Sequence, residues 1–298
     1  MSRNPDDMSF QTKAAHFVAN ALARGLISLA LALPYRNRVP IFGWVMAHLV
    51  GPLAGYRGRA KAHIAFIFPK KSPQDCKALA TACLNNTGRT LIENYSARAF
   101  LDRLKGVPIS GAGLGPMEEA AKAGRPVILV TGHFGNYEAV RAALVGRGYH
   151  VGGLYRDMSN PYFNAHYVRT MKAFGGPVFA QGRKGTAGFV RHLKSGGQLV
   201  LLFDQHVFAA PVLDFLGKPA RTAVSAAELA RRYDALLIPF YGIRQADGLT
   251  FDCVMEAPIP HGTPVEMTQA MNDSISARIR SHPDQWFWVA RRWRPDSP

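Results

Sequence analysis

The sequence is poor in the residues that build disulfide frameworks and zinc sites. It contains only three cysteines in 298 residues. Three is an odd number, and no two of these cysteines stand at Cys-x-x-Cys spacing. This pattern excludes a disulfide scaffold and a zinc knuckle, and it favours a reducing compartment.

Acidic residues are also scarce. Lysine and arginine number 36 against 20 acidic residues, which gives a formal net charge of +16. Hydrophobic residues make up 48% of the chain, so the sequence has material for a packed core and is not a disordered tail. Such a basic balance indicates a polyanionic partner, namely nucleic acid, an anionic membrane surface, or an acidic protein or substrate.

Several well-known binding and catalytic motifs are missing. The sequence has no Walker loop and no Gly-x-Ser-x-Gly elbow. The glycine run at Gly111–Gly115 follows no predicted strand and lacks a sixth-position glycine, so it predicts a turn rather than a dinucleotide site. No RNP, KH or helix-turn-helix signature is present, and nucleic acid is therefore not predicted as the partner.

The N-terminal region combines apolar segments with positive charge. Residues 8–74 contain no acidic residue. The apolar segment Ala14–Leu33 has the length of a membrane span but is interrupted by Asn20 and Arg24, and a second segment, Val39–Tyr56, is broken by glycine and proline. These features predict a helical anchor at an anionic membrane surface. A secretory signal peptide and a buried core helix are the alternatives.

Beyond this region, short apolar runs alternate with helical patterns. The β-branched run Pro126–Thr131 and the run Gln198–Phe203 predict buried strands, followed by strands at Leu236–Tyr241 and Leu249–Met255. Helices are predicted at residues 73–104, 137–145, 160–174, 186–194, 223–233 and 265–281. The alternation predicts an α/β fold with a central, mostly buried sheet flanked by helices. The chain divides into an N-terminal membrane-associated helical segment, residues 1–72, and a larger domain, residues 73–298.

One histidine is placed for chemistry at the end of the first predicted strand. His133 follows that strand directly, and Glu138 is the only acidic residue between Glu119 and Asp157. Histidine suits general-base catalysis near neutral pH, and a carboxylate on Nδ1 would fix its tautomer. The local candidate for that carboxylate is Glu138. No second histidine or cysteine stands at ligand spacing nearby, so a metal site is not predicted.

A tetrahedral oxyanion beside His133 would need hydrogen-bond donors. Backbone N–H groups around Gly132–Asn136, or the guanidinium groups of Arg156 or Arg169, are the candidates that the sequence offers. The sequence does not discriminate between them.

Several blocks of the sequence resemble the late acyltransferases of lipid A biosynthesis. The blocks occur in the family's order and cover roughly residues 107–293. They are the His-x4-Glu block GHFGNYE at 132–138, Tyr155-Arg156, Arg169, Asp204-Gln205, Phe215–Thr222 and Gln285–Trp293. The chain departs from the family pattern at Ala290, where a histidine is usual, and at residues 206–211, which replace an acidic or glycine-rich turn.

The resemblance implies an O-acyltransferase with the glycerol-phosphate-acyltransferase-like domain of the lysophospholipid-acyltransferase superfamily, here at residues 73–298. By this resemblance His133 is the base and Glu138 its orienting carboxylate. The residues expected to contact substrate or support the site are Arg156, Arg169, Asp204 and Gln205.

The same resemblance implies a substrate pair and a location. The enzyme would move a fatty acyl chain from an acyl carrier protein thioester to a hydroxyl of a Kdo-bearing lipid A precursor. It would work at the cytoplasmic face of the bacterial inner membrane, without a metal or another cofactor. The alternative is acylation of another phosphoglycolipid or lysolipid, from acyl-CoA or acyl carrier protein.

Overall fold

The computed structural model describes residues 8–293 as an α/β protein with a helical N-terminal region. The helices are α1 (Phe10–Ala32), α2 (Tyr35–Val45), α3 (Gly51–Leu53), α4 (Tyr56–Ile67), α5 (Pro73–Tyr95), α6 (Ala97–Leu104), α7 (Leu114–Lys122), α8 (Tyr137–Gly146), α9 (Pro161–Ala173), α10 (Arg183–Lys194), α11 (Ser225–Arg232) and α12 (Pro264–Ser281). The strands are β1 (Ile109–Ser110), β2 (Val127–Thr131), β3 (Val151–Tyr155), β4 (Val178–Ala180), β5 (Gln198–Leu202), β6 (Val212–Phe215), β7 (Lys218–Arg221), β8 (Leu236–Arg244) and β9 (Phe251–Met255).

A seven-stranded sheet occupies the centre of the molecule, with the order β1-β9-β8-β2-β5-β3-β4. Its neighbouring pairs are parallel except β8 and β9, which are antiparallel. Helices cover both faces, and every residue of β2 is buried, as its run of apolar β-branched residues predicts. The predicted α/β class with a central buried sheet is confirmed. Strands β6 and β7 form a separate antiparallel hairpin.

Helix α1 lies at the N-terminus and is long and apolar enough to cross a membrane. Ser9 caps its first turn by accepting a hydrogen bond from the Thr12 N–H. Its outward apolar side chains are uncovered: Leu22 is 65% exposed and Leu29 is 71% exposed. The predicted apolar anchoring helix is therefore present, with one face that no described residue covers.

Helices α2 to α4 pack against α5 and so connect the N-terminal region to the sheet domain. Ala60 and Ile64 of α4 are buried in the same core cluster as Phe134 and Trp288. Ser72 caps the start of α5, which is where the sequence places the boundary between residues 1–72 and the larger domain. That division stays a prediction.

One predicted helix differs from the structure, and strands β1, β3, β4, β6 and β7 and helix α7 are additional to the predicted elements. The helix predicted at residues 73–104 is two helices, because the chain leaves helical geometry at Ser96, whose hydroxyl donates to the Ile92 carbonyl at 2.6 Å. Strand β3 was not predicted, since Gly152 and Gly153 lower the strand propensity of its sequence. Its pairing with β4 and β5 supplies the order that local propensity lacks.

Candidate active site

The candidate active site lies where two parallel strands of the sheet end. Strands β2 and β5 are neighbours, and their register pairs Thr131 with Leu202. Two residues beyond the end of each strand, the same register places His133 beside Asp204. The carboxyl ends of parallel strands are where α/β sheets place ligand sites, and the two residues meet there.

His133 and Asp204 form a hydrogen-bonded pair. The ring Nδ1 of His133 lies 2.8 Å from Oδ1 of Asp204, and the His133 backbone N–H donates to Oδ2 at 2.8 Å. The indole N–H of Trp286 donates to the same Oδ2 at 2.8 Å. Asp204 is buried, whereas the His133 side chain is 26% exposed. The carboxylate thus orients the ring and leaves the Nε2 side open to a substrate.

The two groups shift each other's pKa. Burial by itself lowers the pKa of the His133 imidazole, but the charge of Asp204 and the hydrogen bond to it raise this pKa more, so it lies above its ordinary value. Burial raises the pKa of the Asp204 carboxyl, and the charge of His133 with the three donated hydrogen bonds lowers it below its usual range. Asp204 is therefore an anion, and His133 is a stronger base than a free imidazole.

Glu138 is not the carboxylate that the structure places on Nδ1, which corrects the sequence interpretation. It is the second residue of α8, and its carboxylate accepts a hydrogen bond at 3.0 Å from Arg141, three residues further along the helix. Arg141 is buried and also donates to the backbone carbonyls of Val151 and Gly175. Glu138 therefore joins α8 to the chain around β3, and the orienting position belongs to Asp204.

The backbone N–H groups of the loop after β2 are already used. The N–H of Phe134 donates to the Gly132 carbonyl, that of Gly135 to Gln285 and that of Asn136 to Gly242, while that of His133 goes to Asp204. These groups hold the loop in shape and do not point at a substrate oxygen. Of the oxyanion donors that the sequence left open, those of residues 133–136 are thereby removed.

Gln205 is the side chain that reaches the free side of the imidazole. Its amide nitrogen lies 3.5 Å from Nε2 of His133. The Gln205 backbone carbonyl is held by Arg292, at 3.4 Å, and the same guanidinium donates to the carbonyl of Arg221 and to the hydroxyl of Thr222. The buried Arg292 therefore joins the closing block of the sequence to the β6–β7 hairpin and to the chain beside His133.

The other two predicted arginines lie further out. Arg156 is exposed directly after β3, and Arg169 is exposed on α9 close to His166. Within the described part of the chain, no hydrogen bond or ion pair joins either guanidinium to His133 or Asp204. The structure thus brings together His133, Asp204 and Gln205 from the predicted set, and it separates Glu138, Arg156 and Arg169 from them.

A match to a family model covers nearly the whole chain. Residues 8–295 match the model of the bacterial lipid A biosynthesis acyltransferases. The chain belongs to this family. It is therefore an acyltransferase, and the resemblance seen in the sequence blocks is confirmed.

Individual relatives are distant. The chain is 26% identical to the lipid A biosynthesis lauroyltransferase of Escherichia coli over 92% of this chain and 90% of that protein. It is 24% identical to a lipid A biosynthesis acyltransferase of Haemophilus influenzae over 61% of this chain and 58% of that protein. It is also 24% identical to a phosphatidylinositol mannoside acyltransferase of Mycobacterium tuberculosis over 66% of this chain and 61% of that protein.

A buried polar network holds the loop of this acyltransferase that follows β2 and carries His133, residues 132–136. Arg244 of β8 forms two hydrogen bonds to Glu93 of α5, at 2.6 and 2.7 Å, and both side chains are buried. Glu93 accepts a further hydrogen bond at 2.8 Å from Asn136, whose own oxygen caps the start of α8. Thr90 donates to the carbonyl of Gly135 at 2.9 Å. The network ties the loop to α5 and β8 at several points.

Two glycines let the loop approach its neighbours. Gly135 has a φ of +54°, and a Cβ there would lie 2.0 Å from the carbonyl oxygen of Gly242. A Cβ on Gly132 would lie 2.7 Å from Oδ2 of Asp204. Both positions require the absence of a side chain, because the loop otherwise could not bring His133 onto Asp204.

Trp286 is a site residue that the sequence analysis does not single out, although it lies in the block Gln285–Trp293. It is buried, it bridges to Phe134, and its indole donates to Asp204. Burial of a tryptophan requires a partner for its N–H group, and this was the one available signal.

A cavity of about 180 Å³ opens beside His133. Its apolar lining comes from Leu91, Tyr137 and Phe287, and asparagine and threonine side chains of α5 complete it. A larger and more polar groove of about 990 Å³ lies beyond Asn86 and Gln285 and does not include His133. Of these two, the smaller cavity is the one that His133 lines.

Proposed function

We propose that this acyltransferase moves a fatty acyl chain from an acyl carrier protein thioester to a hydroxyl of a Kdo-bearing lipid A precursor. The observation that carries the proposal is the His133–Asp204 pair, placed at the ends of β2 and β5 in a chain of this family. A hydroxyl does not attack a thioester at a useful rate unless a base accepts its proton, and His133 is placed to do so.

The reaction proceeds through a tetrahedral intermediate. The acceptor oxygen forms a bond to the thioester carbonyl carbon while its proton passes to Nε2 of His133. Asp204 stabilises the resulting imidazolium through Nδ1, as the aspartate of a hydrolase triad does. The carbon–sulfur bond then breaks, the ester is released, and the departing thiolate takes the proton back from Nε2.

Gln205 is the proposed donor to the oxyanion. Its amide N–H group lies on the Nε2 side of the ring, and its backbone is held by Arg292. A donor preorganised at the site of developing charge stabilises the transition state more than the ground state. This assignment replaces the backbone N–H groups of residues 133–136, which already donate to other groups of the protein.

The charge distribution supports the acidic donor and the membrane location. Helix α10 exposes Arg183, Lys184, Arg191 and Lys194, a surface that suits an acidic carrier protein. Helix α1 presents its exposed apolar face to the bilayer. We propose that the enzyme works at the cytoplasmic face of the bacterial inner membrane, against an anionic lipid surface, and needs no metal or other cofactor for this chemistry.

A second acceptor class is supported by one comparison. The similarity to phosphatidylinositol mannoside acyltransferases favours acylation of another phosphoglycolipid as the alternative. Both classes share the same chemistry at the hydroxyl group, so the acceptor has to be determined by assay.

The test is an acyl transfer assay read by mass spectrometry. Purified protein in detergent is incubated with acyl carrier proteins loaded with chains of different length and with either a tetraacylated Kdo-bearing lipid A precursor or a phosphatidylinositol mannoside. The expected product is the lipid A precursor heavier by one acyl group.

In this assay the His133→Ala variant is expected to lose on the order of 10²–10⁴-fold in turnover, since the base is removed. The matched control is His261→Ala, because His261 hydrogen-bonds the Ala235 carbonyl far along the chain from the site. Folded His133→Ala protein with wild-type turnover would contradict the catalytic role. If only the phosphatidylinositol mannoside is acylated, the acceptor is that glycolipid and not the lipid A precursor.

A further inference from the structure

A row of three polar residues interrupts the apolar sequence of helix α1; Asn20 is buried, His16 is half-buried and Arg24 is exposed. His16, Asn20 and Arg24 are spaced four residues apart, so they share one face of the helix. Helix α1 contacts the start of α9 beside this row: the side chain of Asn160 donates to the His16 backbone carbonyl at 2.7 Å, and Phe17 packs edge-on against Tyr162. The row therefore lies next to the joint between the two helices.

The polar atoms in this joint lack partners. Asn20 is 7% exposed and its side-chain oxygen has no hydrogen-bond partner among the described residues. The same holds for Nδ1 of His16 and Nε2 of His166. Buried polar groups are normally hydrogen-bonded, and an orphaned one costs free energy. Three orphaned atoms in one joint indicate a site that is completed by a ligand.

The charge in the same joint is positive. Burial lowers the pKa of His166, and the nearby guanidinium groups of Arg24 and Arg169 lower it further. Neither arginine forms an ion pair with an acidic side chain in the described part of the chain. Arg24 on α1 and Arg169 on α9 are both exposed, and both lie near enough to His166 for their charges to act on it. Two guanidinium groups without an acidic partner favour an anion with several acceptor oxygens, such as a phosphate.

This joint is connected to the catalytic cavity through α5. The ring of His166 stacks on Tyr95 at 5.3 Å, and the neighbouring Asn94 donates to the hydroxyl of Tyr137 at 3.4 Å. Tyr137 in turn contacts the ring of His133, at 5.9 Å between centroids. A molecule bound between α1 and α9 would thus have its remainder near the base.

We propose that His16, Asn20 and Arg24 of α1 together with His166 and Arg169 of α9, named here the α1–α9 cleft, bind the phosphate-bearing sugar headgroup of the glycolipid acceptor. Arg24 and Arg169 hold the phosphate, and the side-chain oxygen of Asn20 accepts a hydrogen bond from a sugar hydroxyl. The inference rests on the proposed function for the identity of the acceptor. It also explains why a membrane-anchoring helix carries polar residues that interrupt its apolar run: the helix both anchors the enzyme and contacts a lipid that arrives from the bilayer.

The test compares acceptor kinetics with and without the phosphate groups. Wild-type enzyme, Arg24→Gln and the control Lys172→Gln are assayed in neutral detergent micelles, using the phosphorylated glycolipid acceptor and the same acceptor after phosphatase treatment. Lys172 is exposed on α9, like Arg169. Lys172→Gln removes one positive charge, as Arg24→Gln does. For Arg24→Gln, the KM for the phosphorylated acceptor is expected to rise about 10-fold with kcat retained, which corresponds to about 1.4 kcal/mol. The KM of Arg24→Gln for the dephosphorylated acceptor is expected to stay unchanged. The KM and kcat of Lys172→Gln are expected to equal those of the wild type for both acceptors.

A second variant separates binding from folding. Asn20→Leu replaces an unpartnered buried carboxamide by an apolar group, so its melting temperature is expected to rise while its KM rises several-fold for both acceptors. A residue that served packing alone would not combine higher stability with weaker binding.

Three outcomes would overturn the inference. The first is an Arg24→Gln variant whose KM equals that of the wild type for both acceptors. The second is an equal rise for both. The third is an effect seen only when phosphatidylglycerol is added to the micelles, which would assign the cleft to a phospholipid headgroup.

Equilibrium binding of the phosphorylated glycolipid to His133→Ala, with and without Arg24→Gln, is measured in parallel because it needs no turnover. If the wild type does not acylate the glycolipid but binding depends on Arg24, the proposed reaction is wrong and the binding role of the cleft is supported. If acylation proceeds and binding does not depend on Arg24, the binding role of the cleft is wrong and the proposed reaction is supported.

Discussion

Replacing Asp204 by asparagine is the most direct way to test how the site works. The substitution keeps the size of a buried side chain whose two oxygens accept hydrogen bonds from the His133 N–H, the His133 ring and the Trp286 indole. An asparagine can still accept the first and third of these through its single oxygen. Its amide nitrogen must then face Nδ1 of His133.

The expected loss of rate follows from this geometry. The amide N–H group of the new side chain donates to Nδ1 of His133, so Nδ1 has to be the acceptor. The proton of the neutral ring then sits on Nε2, and Nε2 can no longer accept the proton of the hydroxyl. The same tautomer change costs a serine hydrolase about 10⁴-fold in kcat. We expect kcat to fall about 10³–10⁴-fold and the stability to fall by about 1–3 kcal/mol, since hydrogen bonds to a charged group are lost.

The pH dependence adds a signature that a purely structural defect would not produce. The base must be neutral, so the wild-type rate falls as the pH drops through the pKa of His133, which lies above its ordinary value because of Asp204. Without that charge, burial alone lowers the pKa of the imidazole. The acidic limb of kcat/KM is therefore expected to move to lower pH in Asp204→Asn, while the plateau falls.

Glu138→Gln is the matched control, because it also neutralises a carboxylate close to His133 in sequence. Glu138 pairs with Arg141, so this variant is expected to keep the acidic limb of the wild type and to lose mainly stability. The assay is acyl transfer followed across a pH range centred on about 6.5, with thermal unfolding measured on the same samples. An unchanged rate in Asp204→Asn, or an acidic limb that moves in Glu138→Gln and stays in Asp204→Asn, would show that Asp204 does not orient His133 and would favour Glu138 for that role.

Two further predictions concern the surroundings of the pair. Gln205→Ala is expected to lower kcat about 10²–10³-fold with little change in KM or melting temperature, because it removes the oxyanion donor from an exposed position. Its control is Gln181→Ala, likewise an exposed glutamine, and a rate equal to that control would show that another group stabilises the oxyanion. Glu93→Gln is expected to destabilise the protein by about 3–5 kcal/mol in denaturant unfolding, since Arg244 would remain buried without its counter-charge. The exposed Asp102→Asn should change little by comparison, and equal midpoints for the two variants would mean that the buried pair contributes no more than a surface carboxylate.

Much of the fold could be predicted from local sequence. Strands β2, β5, β8 and β9 are marked by short apolar runs, and most of the helices by their periodicity. Strand β3 escaped prediction because its glycines carry no propensity signal, and it is ordered by pairing on both sides. The break at Ser96 escaped because its neighbours continue the helical pattern.

The site was predicted in part. His133 was identified from its place after a buried strand, and Asp204 and Gln205 entered only through the family resemblance. Glu138 was chosen as the partner because it is the nearest acidic residue along the chain. Its position in the first turn of α8 gives it Arg141 instead, and proximity in sequence was a poor guide to proximity in space.

Local composition and spacing suffice to predict the α/β class, the apolar and basic N-terminal region, the candidate base His133 and the family blocks. The packed fold is needed to see that Asp204 meets His133, that Trp286 and Arg292 hold Asp204 and the chain beside it, and that α1 contacts α9. The physical reason is that these contacts join residues far apart in the chain. They depend on the register of β2 against β5 and on the packing of α1 against α9, which no single segment encodes.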